Sequence, residues 1–290
     1  VLDAPNLRVN AVRDGDTVAA VNLLAAEGGL SPDQSAAYAA GRGRLRGHAL
    51  ADSLVVHLGR PEAGPLRMLR SVRIATAPRH RRRGLAGALV EAAHASPDID
   101  LFGTVFGATP ELLGFRRRLG YRLVRVGSGR GARTGAPAAV MVRPVGPGPR
   151  ALVADLRREL SRNLPHQLAL LRAEPGLGLD PALAVALSVG LPSPAPLPPS
   201  ALRRALLGYT AGPRTADAVH FALVALVDRH PRCLARLPPA ERRLIEARVR
   251  HYAPWEACAD LAGLVTVRAA QRGLRRAVRG LARAAGLLSD

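Results

Sequence analysis

Residues 7–11 alternate apolar and polar, with Leu7, Val9 and Ala11 separated by Arg8 and Asn10, and this period of two predicts a strand. Asp14-Gly15 supplies a tight turn, and the apolar run over 18–24 predicts the returning strand of a hairpin. A basic loop follows at 41–47, then a helix-like stretch at 49–57 and a Gly/Pro-bearing loop at 59–65. Val72, Ile74 and Ala75 mark a short strand. From Leu85 the period becomes helical, with Leu85, Leu89, Ala92 and Ala93 on one face. Strands are predicted at 101–106, 121–126 and 138–142, a helix at 110–119 and a glycine-rich loop at 127–135. This alternation predicts a three-layer α/β domain over 1–145.

Gly146-Pro147-Gly148-Pro149 breaks the pattern and opens a second domain over 146–290, in which strand signals vanish. Helical periodicity occupies 151–172, 182–189, 201–207, 216–229, 239–252, 255–264 and 267–288, so this domain is expected to be all-α. Prolines concentrated at 192–199 predict an extended linker inside it. In the last helix Arg268, Arg272, Arg275, Arg279 and Arg283 recur at steps of three or four and share a face, with Arg276 beside them.

The candidate chemistry lies where the 72–75 strand enters Arg81-Arg82-Arg83-Gly84-Leu85-Ala86-Gly87. A strand feeding a glycine-bearing turn that opens a helix leaves free backbone N–H groups aimed at an anion, and the helix dipole favours its charge. Gly84 permits close approach, and Ala86 and Gly87 keep the first turn narrow. The turn reads as a pyrophosphate cradle. It is not the dinucleotide fingerprint, because Arg81 and Arg83 stand where glycines are needed. It is not an ATP-binding P-loop either, since the chain contains no lysine.

Composition adds a partner class. The formal net charge is +20, and all 42 Lys+Arg residues are arginine. A planar guanidinium grips phosphate bidentately, so a nucleic-acid partner is expected, with binding that weakens steeply in salt. Only 3% of residues are aromatic, which argues against an extended base-stacking platform. Cys233 and Cys258 give neither a disulfide framework nor a zinc site, so no metal is expected. No signal peptide and no bilayer-spanning apolar run are read, and a cytoplasmic protein without a membrane partner is expected.

The turn fits [Gln/Arg]-x-x-Gly-x-[Gly/Ala], which resembles the acetyl-CoA motif of the GNAT acetyltransferase superfamily. The neighbourhood sharpens this. Glu27-Gly28-Gly29-Leu30-Ser31, Arg44-Leu45-Arg46-Gly47-His48, Ser53-Leu54 and His57 precede the strand; Arg73-Ile74-Ala75 and Pro78 introduce the turn. Phe106-Gly107-Ala108-Thr109-Pro110-Glu111-Leu112, Phe115-Arg116-Arg117-Arg118-Leu119-Gly120-Tyr121 and Leu123-Val124-Arg125 follow. In this order they resemble the acetyltransferase domain of the tRNA(Met) cytidine acetyltransferase family (TmcA-like), strongly over 1–145 and more diffusely through the helical tail.

The resemblance implies a GNAT fold, N-terminally incomplete because 1–5 read like the end of a helix, and a C-terminal tRNA-binding region. It implies transfer of acetyl from acetyl-CoA to a cytidine N4 of elongator tRNA(Met), with ATP hydrolysed in a helicase-like module absent from this sequence. Carried over residue by residue, acetyl-CoA would be held by Ile74, Ala75, Thr76, Arg81, Arg82, Arg83, Gly84, Leu85, Ala86 and Gly87, with Glu111 and Arg118 as further contacts. Thr109-Pro110-Glu111 is equally a helix-start signature. Arg268, Arg272, Arg275, Arg276, Arg279 and Arg283 would meet the RNA. The base that takes the N4 proton is not fixed by spacing; His57 and His48 are the candidates. Arg116 stands where many GNAT enzymes have a tyrosine acid. Two other readings stay open: a GNAT enzyme for a protein N-terminus or small amine, and a non-catalytic RNA-binding remnant.

Overall fold

The computed structural model describes residues 5–130, 135–174 and 178–289. Residues 1–4, read above as the end of a helix, and 131–134 of the glycine-rich loop lie outside the described residues. Strands β1 (Leu7–Asp14) and β2 (Thr17–Gly28) form the expected hairpin around Gly15, with β2 running past its expected end. Helix α1 (Pro32–Ala39) has no apolar periodicity to announce it. Its signal is a capping box, in which Ser31 Oγ accepts from Gln34 N while the Gln34 side chain accepts from Ser31 N. Helix α2 (Ala49–Asp52) continues through one π-helical turn, Ser53–His57, to complete the expected 49–57 stretch.

Next come β3 (Arg67–Thr76), α3 (Leu85–His94), β4 (Leu101–Gly107), α4 (Pro110–Arg118), β5 (Arg122–Arg130) and β6 (Pro137–Pro144). The sheet order is β1-β2-β3-β4-β6-β5. Only β3 and β4 run parallel, joined by α3 as the crossover that parallel neighbours require. β5 extends to Arg130 where a loop was expected from Gly127, because a Cβ at Gly127 would stand 3.3 Å from Ala138 N: the absent side chain lets the two strands close up.

Helices cover both faces of the sheet. One core joins Leu69, Val90, Phe102, Leu113 and Met141, bringing α3 and α4 onto one face. The other joins Leu50, Leu54, Met68, Leu101 and Val142, bringing α2 onto the opposite face. Helix α5 (Pro147–Ala173) rounds the β5 edge. Its Val153 and Leu156 enter the second core, and its Leu160, Leu164 and Leu168 enter the first. Helix α6 (Pro181–Ser188) adds Leu183 and Leu187 to the first core as well.

Packing therefore changes partner near the 192–199 stretch, not at 146–149. The third core begins beyond it and is wholly helical. It is built from α7 (Pro199–Thr210), α8 (His220–Arg229), α9 (Pro231–Ala235), α10 (Pro239–Ile245), α11 (Trp255–Leu261) and α12 (Val267–Ala284). Buried ion pairs tie it to the sheet. Arg60 Nη1 and Nη2 reach Asp155 at 2.6 Å and Glu159 at 3.0 Å, and Arg214 Nη2 reaches Glu159 at 2.6 Å. Among the described residues no helix is long and apolar enough to cross a membrane, and no group of three or more His, Cys, Asp or Glu could hold a metal ion.

Candidate functional site: a strand fork beside an uncapped helix

The β3–β4 ladder pairs Met68 with Leu101 and ends at Ser71 with Thr104. Beyond it, Val105 to Gly107 of β4 pair only with β6, and Arg73 to Thr76 pair only with β2. The register with β2 explains the parting. Leu24 opposes Ser71 and Leu23 opposes Arg73, so Val72 is an extra residue. A bulge of this kind bends its strand and increases its twist. β3 thus swings away from β4 one residue past the last rung. The fork exposes β3 main chain, including that of Ile74, Ala75 and Thr76, on the side β4 has left.

The cradle stands at the open end of this fork. β3 passes through a 3₁₀ turn, Pro78–His80, to Gly84, which takes φ +79° and immediately precedes α3. No side chain caps α3, so the N–H groups of its first turn are open to a ligand. A Cβ at Gly84 or Gly87 would meet no protein atom within 4 Å, so the space in front of both is clear. Arg82 holds a left-handed φ of +60°, a conformation unfavourable for a residue with a side chain.

The arginines of the turn divide in two. Arg79 Nε and Arg83 Nη1 lie 2.9 and 3.0 Å from the two ring nitrogens of buried His80, which is itself 3.7 Å from Asp14. Arg81 Nε reaches Thr76 O at 3.5 Å, and Arg82, like the other three, is exposed.

Glu111 and Arg118 occupy the two ends of α4. Seven residues is about 10 Å of rise and nearly two full turns, so they share a face. The Arg118 guanidinium leans back over that face, since a Cβ at Gly114 would be 3.6 Å from its Nη1. Glu111 is exposed, and hydrogen bonds from its own backbone and from Thr109 hold its carboxyl below the ordinary value. Thr109 caps the helix by accepting from Leu112 N at 3.3 Å.

At the base of the fork lies a group that spacing could not assemble, because it draws on four elements. Ser71 Oγ donates to Asn22 Oδ1 at 2.8 Å and accepts from Arg116 Nη2 at 3.1 Å, while Thr104 Oγ1 donates to Ser71 O at 3.2 Å. Arg116 lies 5.4 Å from the ring centroids of both Phe115 and Tyr121, and burial lowers its pKa. Asn22 Nδ2 and Arg116 Nη1 are buried without a partner among the described residues. Two unsatisfied donors at one point are costly, and they fit an acceptor atom entering the fork.

The histidine candidates are elsewhere. His48 Nδ1 accepts from Gly28 N at 3.2 Å, and Gly28 is opposite Arg67, the other end of β3 from Thr76. Nine residues of strand is roughly 30 Å. His57 pairs with Asp52 at 3.3 Å on the helices of the α2 face. His48 does not meet the fork.

The arginine face of α12 is partly committed to structure. Arg275 donates to the carbonyls of Tyr209, Gly212 (2.7 Å) and Arg214 (3.0 Å), closing the end of α7, and stacks 4.7 Å over Tyr209. Arg279 donates to Thr210 O, and Arg276 pairs with Glu241 at 3.0 Å. Arg268 and Arg272, both exposed, line a cleft of about 300 Å³ with Trp255, Gln271 and Ser128 at the end of β5 nearer the fork. Arg283 is exposed further along α12.

Comparison with known proteins gives one answer repeatedly. No family model matches the chain. It is 40% identical over 187 residues, 63% of its length, to the tRNA(Met) cytidine acetyltransferase TmcA of Nitrosococcus halophilus. It is 32% identical over 292 residues, 99% of its length, to the protein of that name from Haloarcula marismortui, and 33% identical over 281 residues, 94% of its length, to that from Haloferax volcanii. The chain spans 24%, 37% and 36% of these three relatives respectively.

Proposed function

From the premise that this chain belongs to the tRNA(Met) cytidine acetyltransferase (TmcA) family, we propose that it is the family's acetyl-transfer portion, a GNAT-type fold that uses acetyl-CoA to acetylate the N4 amine of a tRNA cytidine. The observation that carries this reading is the coincidence, at one end of one sheet, of a strand fork and an uncapped, glycine-bearing helix start. An extended pantetheine arm completes the ladder that β3 leaves open from Arg73 to Thr76. Pyrophosphate takes the N–H groups of Gly84 to Gly87, and Arg81, Arg82 and Arg118 supply positive charge around it. Glu111 helps fix the start of α4, the helix that presents Arg118.

The chemistry is direct attack by the amine on the thioester: the N4–acetyl bond forms, the C–S bond breaks, and CoA leaves as the thiol carrying the proton lost by the amine. Alignment of the two reactants in the fork supplies part of the acceleration, and donors at its base polarise the carbonyl oxygen. Asn22 Nδ2 and Arg116 Nη1 are suited to that task because they have no protein acceptor. Neither His48 nor His57 is assigned the proton, given where they lie. RNA is met by Arg268 and Arg272, with Trp255 offering a stacking surface in the same cleft. Any ATP hydrolysis would come from a helicase-like module, because this sequence has no P-loop signature. A cytoplasmic site of action follows from a tRNA substrate.

The test is transfer of labelled acetyl from acetyl-CoA to unmodified elongator tRNA(Met), scored as N4-acetylcytidine after nuclease digestion. Gly84→Glu puts a negative side chain into the pyrophosphate space at a left-handed φ, and should abolish both product and acetyl-CoA binding. Acetyl-CoA binding that survives this change would overturn the cradle. tRNA binding with no acetyl-CoA binding by the unaltered chain would leave an RNA-binding relative only.

A further inference from the structure

Arg60, Arg70, Arg214 and Arg248 each have an acidic partner, whereas Arg116 and Arg275 have none among the described residues. A cluster of three further arginines also lacks acidic partners and lines a cleft. Arg117 on the last turn of α4, Arg122 at the start of β5 and Arg157 on α5 line a cleft of about 400 Å³ with Tyr121, Val189 and Leu191. No acidic side chain lines it, and none of the three has an ion pair among the described residues.

Their acceptors are main-chain carbonyls. Arg117 donates to Ala186 O, Arg157 to Gly190 O, and Arg122 to Tyr121 O at 3.4 Å. Ala186 and Gly190 belong to the C-terminal end of α6, whose dipole offers about half a negative charge against three positive ones. Arg157 Nε is buried with no partner. Burial first, then the neighbouring guanidinium charges, lower the pKa of both Arg117 and Arg157. Three converging forks with surplus donors and no anion are incomplete without one.

We propose that Arg117, Arg122 and Arg157 bind the phosphodiester backbone of RNA at the edge of the sheet. Position sets Arg122 apart from the pyrophosphate cradle. Arg122 is level with Val142, Gly103 and Arg70 across the sheet, and Thr76 is six residues further along β3. That is about 20 Å along the strands, with three further strand spacings of about 5 Å across them. The cleft containing Arg268 and Arg272 touches Ser128 at the far end of the same edge strand, and α5 covers the strand between the two clefts, so they are separate basic sites. The inference rests on the RNA reading above and extends it to residues outside the α12 face.

The experiment measures tRNA affinity over a salt series for the unaltered chain and for the R117Q/R122Q/R157Q variant, with acetyl-CoA affinity and Tm alongside. Each lost phosphate contact lowers the slope of log K against log salt by about 0.7–0.9, so the slope should flatten by roughly 2. Affinity at low salt should fall at least tenfold while acetyl-CoA binding and Tm hold. An unchanged slope, with R268Q/R272Q flattening it, overturns the proposal and leaves the RNA reading intact. Lost acetyl-CoA affinity with an unchanged slope overturns it in favour of a cofactor-phosphate site. No salt-dependent tRNA binding by the unaltered chain overturns both readings. Should the triple variant fail to fold, Arg122→Gln on the exposed strand end must by itself flatten the slope by about 1, and an unchanged slope again overturns the proposal.

Discussion

Arg116 is where residue-level accounting is most informative. A buried guanidinium with hydroxyl and ring partners, one nitrogen unpaired and no carboxylate is costly to desolvate, and replacing a buried charge by a well-packed apolar side chain is often neutral or stabilising. Arg116→Met should therefore leave Tm unchanged or raise it. In the proposed reaction it should lower the rate of acetyl transfer at least tenfold with acetyl-CoA affinity little altered, because the donor acts on charge that develops during the reaction. Calorimetry and single-turnover transfer measure the two halves. A fall in both stability and rate would make Arg116 a packing residue. The same scale shows what spacing could reveal. The glycine-bearing turn and helix start were legible because their residues are consecutive. Asn22, Ser71 and Arg116 are far apart in sequence and meet only through sheet register and helix packing. His48 failed as a neighbour of the fork for the converse reason: nearness in sequence to β3 put it at the wrong end of that strand.

Val72 is one residue, yet it sets the form of an element. The Val72, Ile74 and Ala75 pattern marked a strand, but a bulge leaves no mark in such a pattern, so the fork was not legible in the sequence. Deleting Val72 should restore regular pairing with β2 and let β3 continue its ladder with β4 beyond Ser71 and Thr104. The chain should still fold, with hydrogen-exchange protection gained over residues 73–76 and acetyl-CoA binding lost. Retained binding would separate the bulge from the site. Helix periods were read well wherever an apolar face recurred, as in α3, α4 and α12. They failed for α1, whose capping box was its stronger signal. Long-range placement was beyond them: α5 looks like the first helix of a separate domain, yet its apolar residues enter both faces of the sheet. A one-dimensional period reports that a face is buried, not against what.

Across the whole molecule, the sheet and the helical body are joined by charges whose protonation differs on unfolding. Desolvation alone would raise the Glu159 carboxyl, but Arg214 and Arg60 outweigh it and hold its pKa below the ordinary 4.5; Asp155 is likewise held below 3.8 by Arg60, Arg204 and Arg158. Such groups stabilise fully above their unfolded pKa, and that stability is lost as pH falls through the lower folded value. Buried histidines act earlier. Burial above all takes His94 to about 4 and His220 to about 3, from 6.5, so below pH 6.5 the unfolded chain binds protons that the folded chain refuses. His220 then costs up to about 1.4 kcal/mol per pH unit, and half-buried His94 less, because solvent screens it. Tm should be flat from pH 8 to about 6.5, decline from there to about 4.5 as the histidines act, and drop more steeply below as the carboxylates join them. Glu159→Gln should lower stability at pH 7 by about 3–5 kcal/mol, because Arg60 and Arg214 stay buried after losing their shared carboxylate. It should also make the steep acid limb shallower while leaving the histidine limb in place. A parallel downward shift of the whole curve, with the acid limb intact, would mean that this carboxyl is not the group lost in acid.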